Sequence, residues 1–243
     1  MPCRIEHRQF SRPIRRRRGL PTRSPHMSEY DKIRINMVDC QLRPNKISDP
    51  ALLDAFLQVP REAFVPLALK GAAYVDEDLP LGEGRYLLEP MVLGRLLQTA
   101  VVGPNDVVLE IGCATGYATA ILGRLARSVV AIESDSVLAR QAKANLAGQR
   151  NATVFEQRLD RGYPERAPYD VIVIGGAVGD IPPAVLDQLA EGGRLVTVIE
   201  TRAGQLGEAV LLERGPTGIS RRRLFEAGIH TLPGFQAEPS FVF

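Results

Sequence analysis

The chain of 243 residues is long enough for one large domain with an accessory segment, and its 45% hydrophobic and 24% charged residues are typical of a soluble globular protein. No run approaches the roughly 18–20 apolar residues of a membrane-spanning helix. The three cysteines show no C-x-x-C spacing, which argues against a disulfide framework and a structural zinc site and favours a reducing cytoplasm.

The first 26 residues differ in charge from the rest of the chain. They hold eight arginines and a single acid, Glu6, so the remainder from Met27 onward carries a net charge of −5. An Arg-rich segment without an apolar centre fits a transit peptide, a nucleic-acid or membrane tail, or a disordered leader. We favour a translated upstream region, and we expect no nucleic-acid partner because Phe10 is its only aromatic residue. Residues 1–40 are predicted to be a basic, irregular extension.

Residues 41–103 are predicted to form a helical subdomain that carries an active-site loop. Ser48-Asp49-Pro50 is typical of a helix start, because a polar cap precedes proline in the first turn. Met91–Val101 is apolar on one face and predicts a second helix. Between them, Pro80–Pro90 (PLGEGRYLLEP) holds two glycines between flanking prolines, which predicts a loop.

Residues 104–243 alternate β-branched runs with helical patterns, which is the signature of a doubly wound α/β fold. The strand candidates are Val107–Ile111, Val129–Glu133, Thr153–Gln157, Tyr169–Ile174 and Arg194–Glu200. The helical candidates are Ala118–Arg127, Val137–Ala147 and Pro183–Ala190. Their continuous apolar runs suit a mostly parallel sheet that is covered on both faces. Glu208–Glu213 and Ile219–Phe225 flank Gly215–Gly218 and predict an antiparallel hairpin at the sheet edge.

The segment Val107–Ala120 carries the motif E-x-G-x-A-x-G between a buried strand and a helix. The candidate ligand-binding residues are Glu110, Gly112, Cys113, Ala114 and Gly116. Small residues let a ligand approach the backbone, and the helix offers free N–H groups. A dinucleotide loop would carry glycine where Tyr117 stands, and the Glu110 carboxylate suits a cationic amino acid better than a pyrophosphate. We therefore predict a Rossmann-like class I methyltransferase domain whose loop binds the methionine moiety of S-adenosylmethionine.

Polar residues follow the next strands of the predicted sheet. Glu133 ends the second strand, where a carboxylate can accept hydrogen bonds from both ribose hydroxyls, and Ser134 follows it. Asp160 comes just after the third strand, where a side chain could bond the adenine amino group. We assign Gly175, after the fourth strand, to the same site. Ligands of open α/β sheets bind outside the carboxyl ends of the strands, so these residues are predicted to form one cofactor site with the loop.

Five stretches between Ala51 and Glu200 carry motifs of one methyltransferase family. They are Val59–Val65 (VPREAFV), Leu79–Gly84 (LPLGEG), Val107–Leu122, Tyr169–Ala177 and Ile181–Val196. In these stretches the chain resembles protein-L-isoaspartate O-methyltransferases. The resemblance implies methyl transfer from S-adenosylmethionine to the α-carboxylate of an isoaspartyl residue in a protein or peptide, which begins protein repair. That carboxylate is already ionised, so no catalytic base and no metal are expected.

The loop that the resemblance places at the acceptor departs from the family pattern. The family's loop runs T-I-S-x-P, with a serine beside the substrate carboxylate, and this chain has Leu88 in that place when aligned on Pro90. By the resemblance, Tyr86, Leu87 and Leu88 are expected to line the acceptor site. His230 is expected either to join them or to end a surface strand. The missing hydroxyl removes a hydrogen bond worth about 1.5–3 kcal/mol, which weakens the activity or indicates another acceptor.

Two other functions stay open at this point. Beside the isoaspartyl activity, one alternative is a methyltransferase for another acceptor, such as a small metabolite or a peptide. The other is a cofactor-binding regulator without catalysis, which Leu88 permits. Methylation of nucleic-acid amino groups is disfavoured, because Ile174–Ala177 stands where those enzymes carry an N/D-P-P-aromatic motif. Carbon-5 methylation is disfavoured because no cysteine follows Cys113.

Overall fold

A computed structural model describes residues 27–200 and 206–235. The basic segment 1–26, for which an upstream origin is predicted, lies outside the described residues. Within the described ranges, no helix is both long enough and apolar enough to cross a membrane.

The first described segment is helical, whereas the sequence predicts irregular structure up to residue 40. Helix α1 (Glu29–Met37) begins after Ser28, whose hydroxyl accepts the Asp31 N–H while the Asp31 carboxylate accepts the Ser28 N–H. A π-helical turn, Val38–Leu42, continues α1. The two reciprocal bonds satisfy free N–H groups of the first turn, so a polar segment with little apolar periodicity still forms a helix.

Two helices confirm the helical predictions for the next zone. Helix α2 (Pro50–Gln58) is capped by Asp49, whose carboxylate accepts two backbone N–H groups of the first turn. Helix α3 (Pro90–Ala100) is apolar on the face that it buries. The 3₁₀ turns Arg61–Ala63 and Leu67–Ala72 lie between these helices.

The segment Pro80–Pro90, predicted to be a loop, contains a small hairpin. Strand β1 (Leu79–Gly82) pairs antiparallel with β2 (Arg85–Leu87), and Leu79 lies opposite Leu87. Glu83 takes a left-handed conformation (φ 51°) between two glycines, which reverses the chain tightly. The glycines and prolines therefore predict the turn correctly, but the two buried leucines turn its flanks into strands.

The remaining strands form one seven-stranded sheet. They are β3 (Val107–Ile111), β4 (Ser128–Glu133), β5 (Ala152–Glu156), β6 (Tyr169–Val178), β7 (Leu189–Ile199), β8 (Gly207–Gly215) and β9 (Gly218–Ala227). The order is β5-β4-β3-β6-β7-β8-β9, with β3 to β7 parallel and β8 and β9 antiparallel. The predicted doubly wound sheet and its C-terminal hairpin are confirmed. Strand order reverses beside β3, and such sheets bind ligands at this switch point.

Helices cover both faces of the sheet. Helices α4 (Tyr117–Leu125) and α5 (Ser136–Asn145) share one apolar layer with α2 and α3, and α6 (Pro183–Leu186) belongs to the layer on the opposite face. Neighbouring residues of β3 supply both layers, Val108 to the first and Leu109 to the second. Helix α6 is shorter than the predicted Pro183–Ala190, because Leu189 already pairs with Tyr169 in the sheet.

Candidate functional site

The loop after β3 lies against the neighbouring strands through its backbone. Gly112 (φ 81°) and Gly116 (φ 91°) occupy the left-handed region that favours glycine, and Ala114 shares it at φ 49°. The Gly112 N–H donates to the Ile132 carbonyl on β4 at 2.9 Å. A Cβ on Gly175 would lie 2.8 Å from the Gly112 carbonyl oxygen. Small residues thus bring the loop to the carboxyl end of β4 and against β6. Gly175 lies within β6, whereas the sequence predicts it after that strand.

Glu133 lies at the carboxyl end of β4 with its side chain fully buried. Its Oε2 accepts the Ala114 N–H at 2.7 Å, and its Oε1 accepts the N–H groups of Ser134 at 2.8 Å and Asp135 at 3.2 Å. Three backbone donors therefore fix the orientation of the carboxylate. It lies beside the small-residue loop, at the predicted ribose position.

Arg85 on β2 contacts the same carboxylate, although it is not among the residues predicted for the site. Its Nη2 donates to Glu133 Oε2 at 2.9 Å and to the Gly112 carbonyl at 2.9 Å. The ion pair is buried, with the two side chains 3% and 0% exposed. Leu232 packs beside it, 3.1 Å from the position of a Cβ on Gly112. The only signal in the sequence is a cation next to the predicted acceptor residues.

Glu110 is the second buried carboxylate of the site. It is 2% exposed, and its Oε2 accepts the Thr119 hydroxyl at 2.5 Å. Burial raises the pKa of Glu110 to about 7, the Thr119 hydrogen bond opposes the rise, and the nearby Glu133 charge adds to it. Glu110 therefore titrates near neutral pH and is available to a cationic ligand only when it is ionised.

A cavity of about 20 Å³ joins the loop to the hairpin. Among its lining residues are Tyr86, Leu87, Leu88, Glu110, Gly112, Cys113, Ala114 and Gly175. It thus brings most of the predicted cofactor residues together with three of the predicted acceptor residues. Burial raises the pKa of the Cys113 thiol well above its usual range, so this residue stays protonated and is not a nucleophile.

Asp160 lies apart from this cavity, on the 3₁₀ turn Leu159–Arg161 that follows β5. Both of its carboxylate oxygens accept bonds from Arg158, at 3.1 Å from Nε and 2.7 Å from Nη2. These hydrogen bonds lower the pKa of Asp160. The adenine contact of Asp160 stays a prediction.

The residues predicted for the acceptor, called the acceptor side from here on, include a stacked pair of rings. Tyr86 and His230 stack with their centroids 3.4 Å apart and their planes 8° apart. His230 Nδ1 lies 3.2 Å from Asp78 Oδ2. Leu88 is buried, and its carbonyl accepts the Nη2 group of the fully buried Arg61 at 2.7 Å. The hairpin and the C-terminal segment therefore meet, and His230 joins the predicted acceptor residues.

Acidic side chains surround this acceptor side. The Glu89 N–H donates to Asp78 Oδ1 at 2.8 Å. Burial raises the pKa of Glu89 to about 7, and the charges of Asp76 and Asp78 raise it further. The charge of the buried Arg61 opposes this rise, so an anionic acceptor would meet these acids beside one buried cation.

The residues at the carboxyl ends of β3, β4 and β6 fit S-adenosylmethionine with one exception. Glu133 would offer an oriented acceptor to a diol, Glu110 would be a buried partner for an ammonium group, and a Cβ at Gly175 would lie 2.8 Å from the Gly112 carbonyl oxygen. The exception is Arg85, which occupies one oxygen of Glu133.

Comparisons with known proteins agree on one family. The family model described as protein-L-isoaspartate(D-aspartate) O-methyltransferase matches residues 34–217. A protein-L-isoaspartate O-methyltransferase of Koribacter versatilis (strain Ellin345) is 41% identical over 175 residues, which are 71% of this chain and 79% of that protein. One of Methylorubrum extorquens (strain PA1) is 41% identical over 190 residues, 77% of this chain and 83% of that protein. A solved protein-L-isoaspartate O-methyltransferase matches with a TM-score of 0.73 and 27% identity, covering 83% of this chain and 66% of that one.

Proposed function

The chain belongs to the protein-L-isoaspartate O-methyltransferase family, and we propose that it transfers the methyl group of S-adenosylmethionine to the α-carboxylate of L-isoaspartyl residues in proteins and peptides. The observation that carries the proposal is the buried Glu133 carboxylate beside the loop of small residues, at the switch point of the sheet. Methylation of this kind begins the repair of aged proteins.

The reaction needs orientation more than acid–base chemistry. When bound, the cofactor would supply an electrophilic methyl group, and its transfer from sulfur to the acceptor oxygen would turn a sulfonium and a carboxylate into a neutral thioether and a neutral ester. The acceptor oxygen is already ionised and needs no base. The task of this chain's residues is to align the two groups and to exclude water.

Four residues serve the cofactor in this proposal. Glu133 accepts the ribose hydroxyls, and the ionised Glu110 pairs with the ammonium group of the methionine moiety. Gly175 leaves room beside the Gly112 carbonyl, since a Cβ there would lie within 2.8 Å of that oxygen. Asp160 is the proposed partner of the adenine amino group, reached when it gives up part of its contact with Arg158.

A second acceptor is favoured by one observation. Leu88 is buried and apolar where the family carries a serine, and acids lie on the acceptor side. A less anionic acceptor, such as a small metabolite, would suit this surface. In both cases the methyl donor is the same.

The deciding experiment follows labelled methyl from S-adenosylmethionine into an isoaspartyl peptide and into its ordinary aspartyl twin. Label in the isoaspartyl peptide alone is the expected result, because only that linkage presents the α-carboxylate on the side branch. Label in neither peptide, with S-adenosylhomocysteine still bound in calorimetry, rejects the isoaspartyl acceptor and favours the second.

A variant of Glu133 tests whether the site binds the cofactor as proposed. Glu133→Gln removes a charged acceptor of hydrogen bonds and is expected to weaken S-adenosylhomocysteine binding by about 2–3 kcal/mol. Glu191→Gln is the matched control, because Glu191 is exposed at the other end of the sheet. Equal affinities in the two folded variants would remove Glu133 from the site.

A further inference from the structure

Arg85 is a buried cation between the cofactor side and the acceptor side of the site. Its side chain is 3% exposed, it extends from β2, and it contacts Glu133 and the Gly112 carbonyl. Its Nε has no hydrogen-bond partner among the described residues. A guanidinium that is desolvated and incompletely bonded is held mainly by its one carboxylate partner.

The Glu133 carboxylate has no free position while Arg85 is bound. A carboxylate offers about four acceptor positions. The N–H groups of Ser134 and Asp135 take two on Oε1, to which the Ser134 hydroxyl also donates at 3.4 Å, and the Ala114 N–H and Arg85 take two on Oε2. The three backbone donors are fixed by the loop and by the start of α5. A ribose hydroxyl therefore reaches Glu133 only if Arg85 leaves it.

A displaced Arg85 needs another anion, and the cavity between the hairpin and the loop has no cation in its described lining. Acids Asp76, Asp78 and Glu89 lie on the acceptor side. Gly112 borders both that cavity and the Arg85 guanidinium, so the guanidinium is one residue away from it.

Resting on the proposed function, we propose that Arg85 leaves Glu133 when the cofactor binds and then binds the carboxylate of the methyl acceptor. Without cofactor, Arg85 neutralises Glu133. With cofactor, Glu133 serves the ribose, and the Arg85 guanidinium turns to the α-carboxylate of the isoaspartyl residue. The Arg85 guanidinium then donates hydrogen bonds to the acceptor carboxylate in place of the serine hydroxyl that the family carries at the position of Leu88. It also orders the reaction, because the acceptor binds tightly only after the cofactor.

The test combines calorimetry with steady-state kinetics on Arg85→Gln. The variant frees one position on Glu133, so S-adenosylhomocysteine is expected to bind severalfold more tightly. It also loses the cation, so KM for an isoaspartyl peptide is expected to rise about tenfold or more, with a smaller change in kcat. Arg223→Gln, an exposed arginine of β9 that pairs with Glu208, is the matched control and should change neither value.

Two further variants separate this role from a structural one. Arg85→Lys keeps the charge and should show a smaller rise in KM than Arg85→Gln. Adding Leu88→Ser to Arg85→Gln returns a hydrogen-bond donor and should lower KM again. Melting temperatures of the variants identify any loss of folding.

The inference is overturned if Arg85→Gln folds and S-adenosylhomocysteine binding is unchanged or weaker, or if KM for the peptide does not rise. A wild-type enzyme that puts no label into the isoaspartyl peptide overturns the acceptor half together with the proposed function. Label in the peptide with unchanged binding in Arg85→Gln overturns this inference alone.

Discussion

The sharpest prediction concerns the pH dependence that Glu110 imposes on cofactor binding. Its pKa is raised from 4.5 to about 7 by burial, a difference that corresponds to roughly 3 kcal/mol against ionisation in the folded chain. An ammonium ligand needs the ionised form. Affinity for S-adenosylhomocysteine is therefore expected to fall as pH decreases below about 7, by up to about tenfold per pH unit.

The free energy of unfolding should decrease as pH rises, whereas the affinity for the cofactor increases. Because the folded pKa lies above the unfolded one, the stability that the protonated Glu110 contributes is present below about pH 4.5 and is lost as pH rises to about 7. Glu110→Gln keeps the neutral form, so it should gain stability over the wild type by up to roughly 3 kcal/mol across that range.

The assay is calorimetry from pH 5.5 to 7.5 together with melting curves. Glu89 titrates in the same range, so Glu89→Gln is the matched control: it should keep the pH dependence of binding, whereas Glu110→Gln should abolish it and bind weakly throughout. A wild-type affinity that is flat over this range would refute the assignment of Glu110 to the ammonium group.

Three further predictions test the acceptor, the adenine contact and the N-terminal segment. Leu88→Ser should raise turnover on an isoaspartyl peptide about tenfold for each 1.4 kcal/mol of new transition-state bonding; a lower melting temperature with unchanged turnover would show that Leu88 only packs the hairpin. Asp160→Ala should weaken S-adenosylhomocysteine binding by about 1 kcal/mol, and an unchanged affinity would remove the adenine contact. A chain that begins at Met27 should keep its melting temperature and cofactor affinity, because the segment 1–26 has no apolar periodicity; a drop of several degrees would contradict this.

Much of the fold follows from local pattern. The continuous apolar run of β6 requires cover on both faces, and the turn between β8 and β9 is rich in glycine, so a parallel sheet with an added hairpin is the consistent solution. The small residues between β3 and α4 likewise fit only a loop that approaches other backbone closely. These features depend on residues near one another in the chain, and the structure confirms them.

Helix α1 shows where local pattern fails. Arg34 is buried in a polar helix because its guanidinium donates to the Tyr74 hydroxyl and to the Leu57 carbonyl, 40 and 23 residues away. A hydrophobic pattern cannot reveal burial that depends on distant polar partners. The strands β1 and β2 were not predicted for a related reason, since their two leucines are buried only when the hairpin packs on the rest of the fold.

Arg85 is the most consequential case of the same effect. A basic residue in a turn-rich segment is expected to be solvated, but its partner Glu133 lies 48 residues further along the chain. From the sequence, Glu133 has free oxygens for the ribose and Leu88 alone decides the acceptor. Because Arg85 is bound to Glu133, cofactor binding and acceptor binding are linked in our proposal. A ligand that forms hydrogen bonds with Glu133 also releases a cation beside the acceptor. If Arg85 binds the acceptor as proposed, Leu88 is compatible with a carboxylate acceptor, since the cation lies only three residues earlier in the chain.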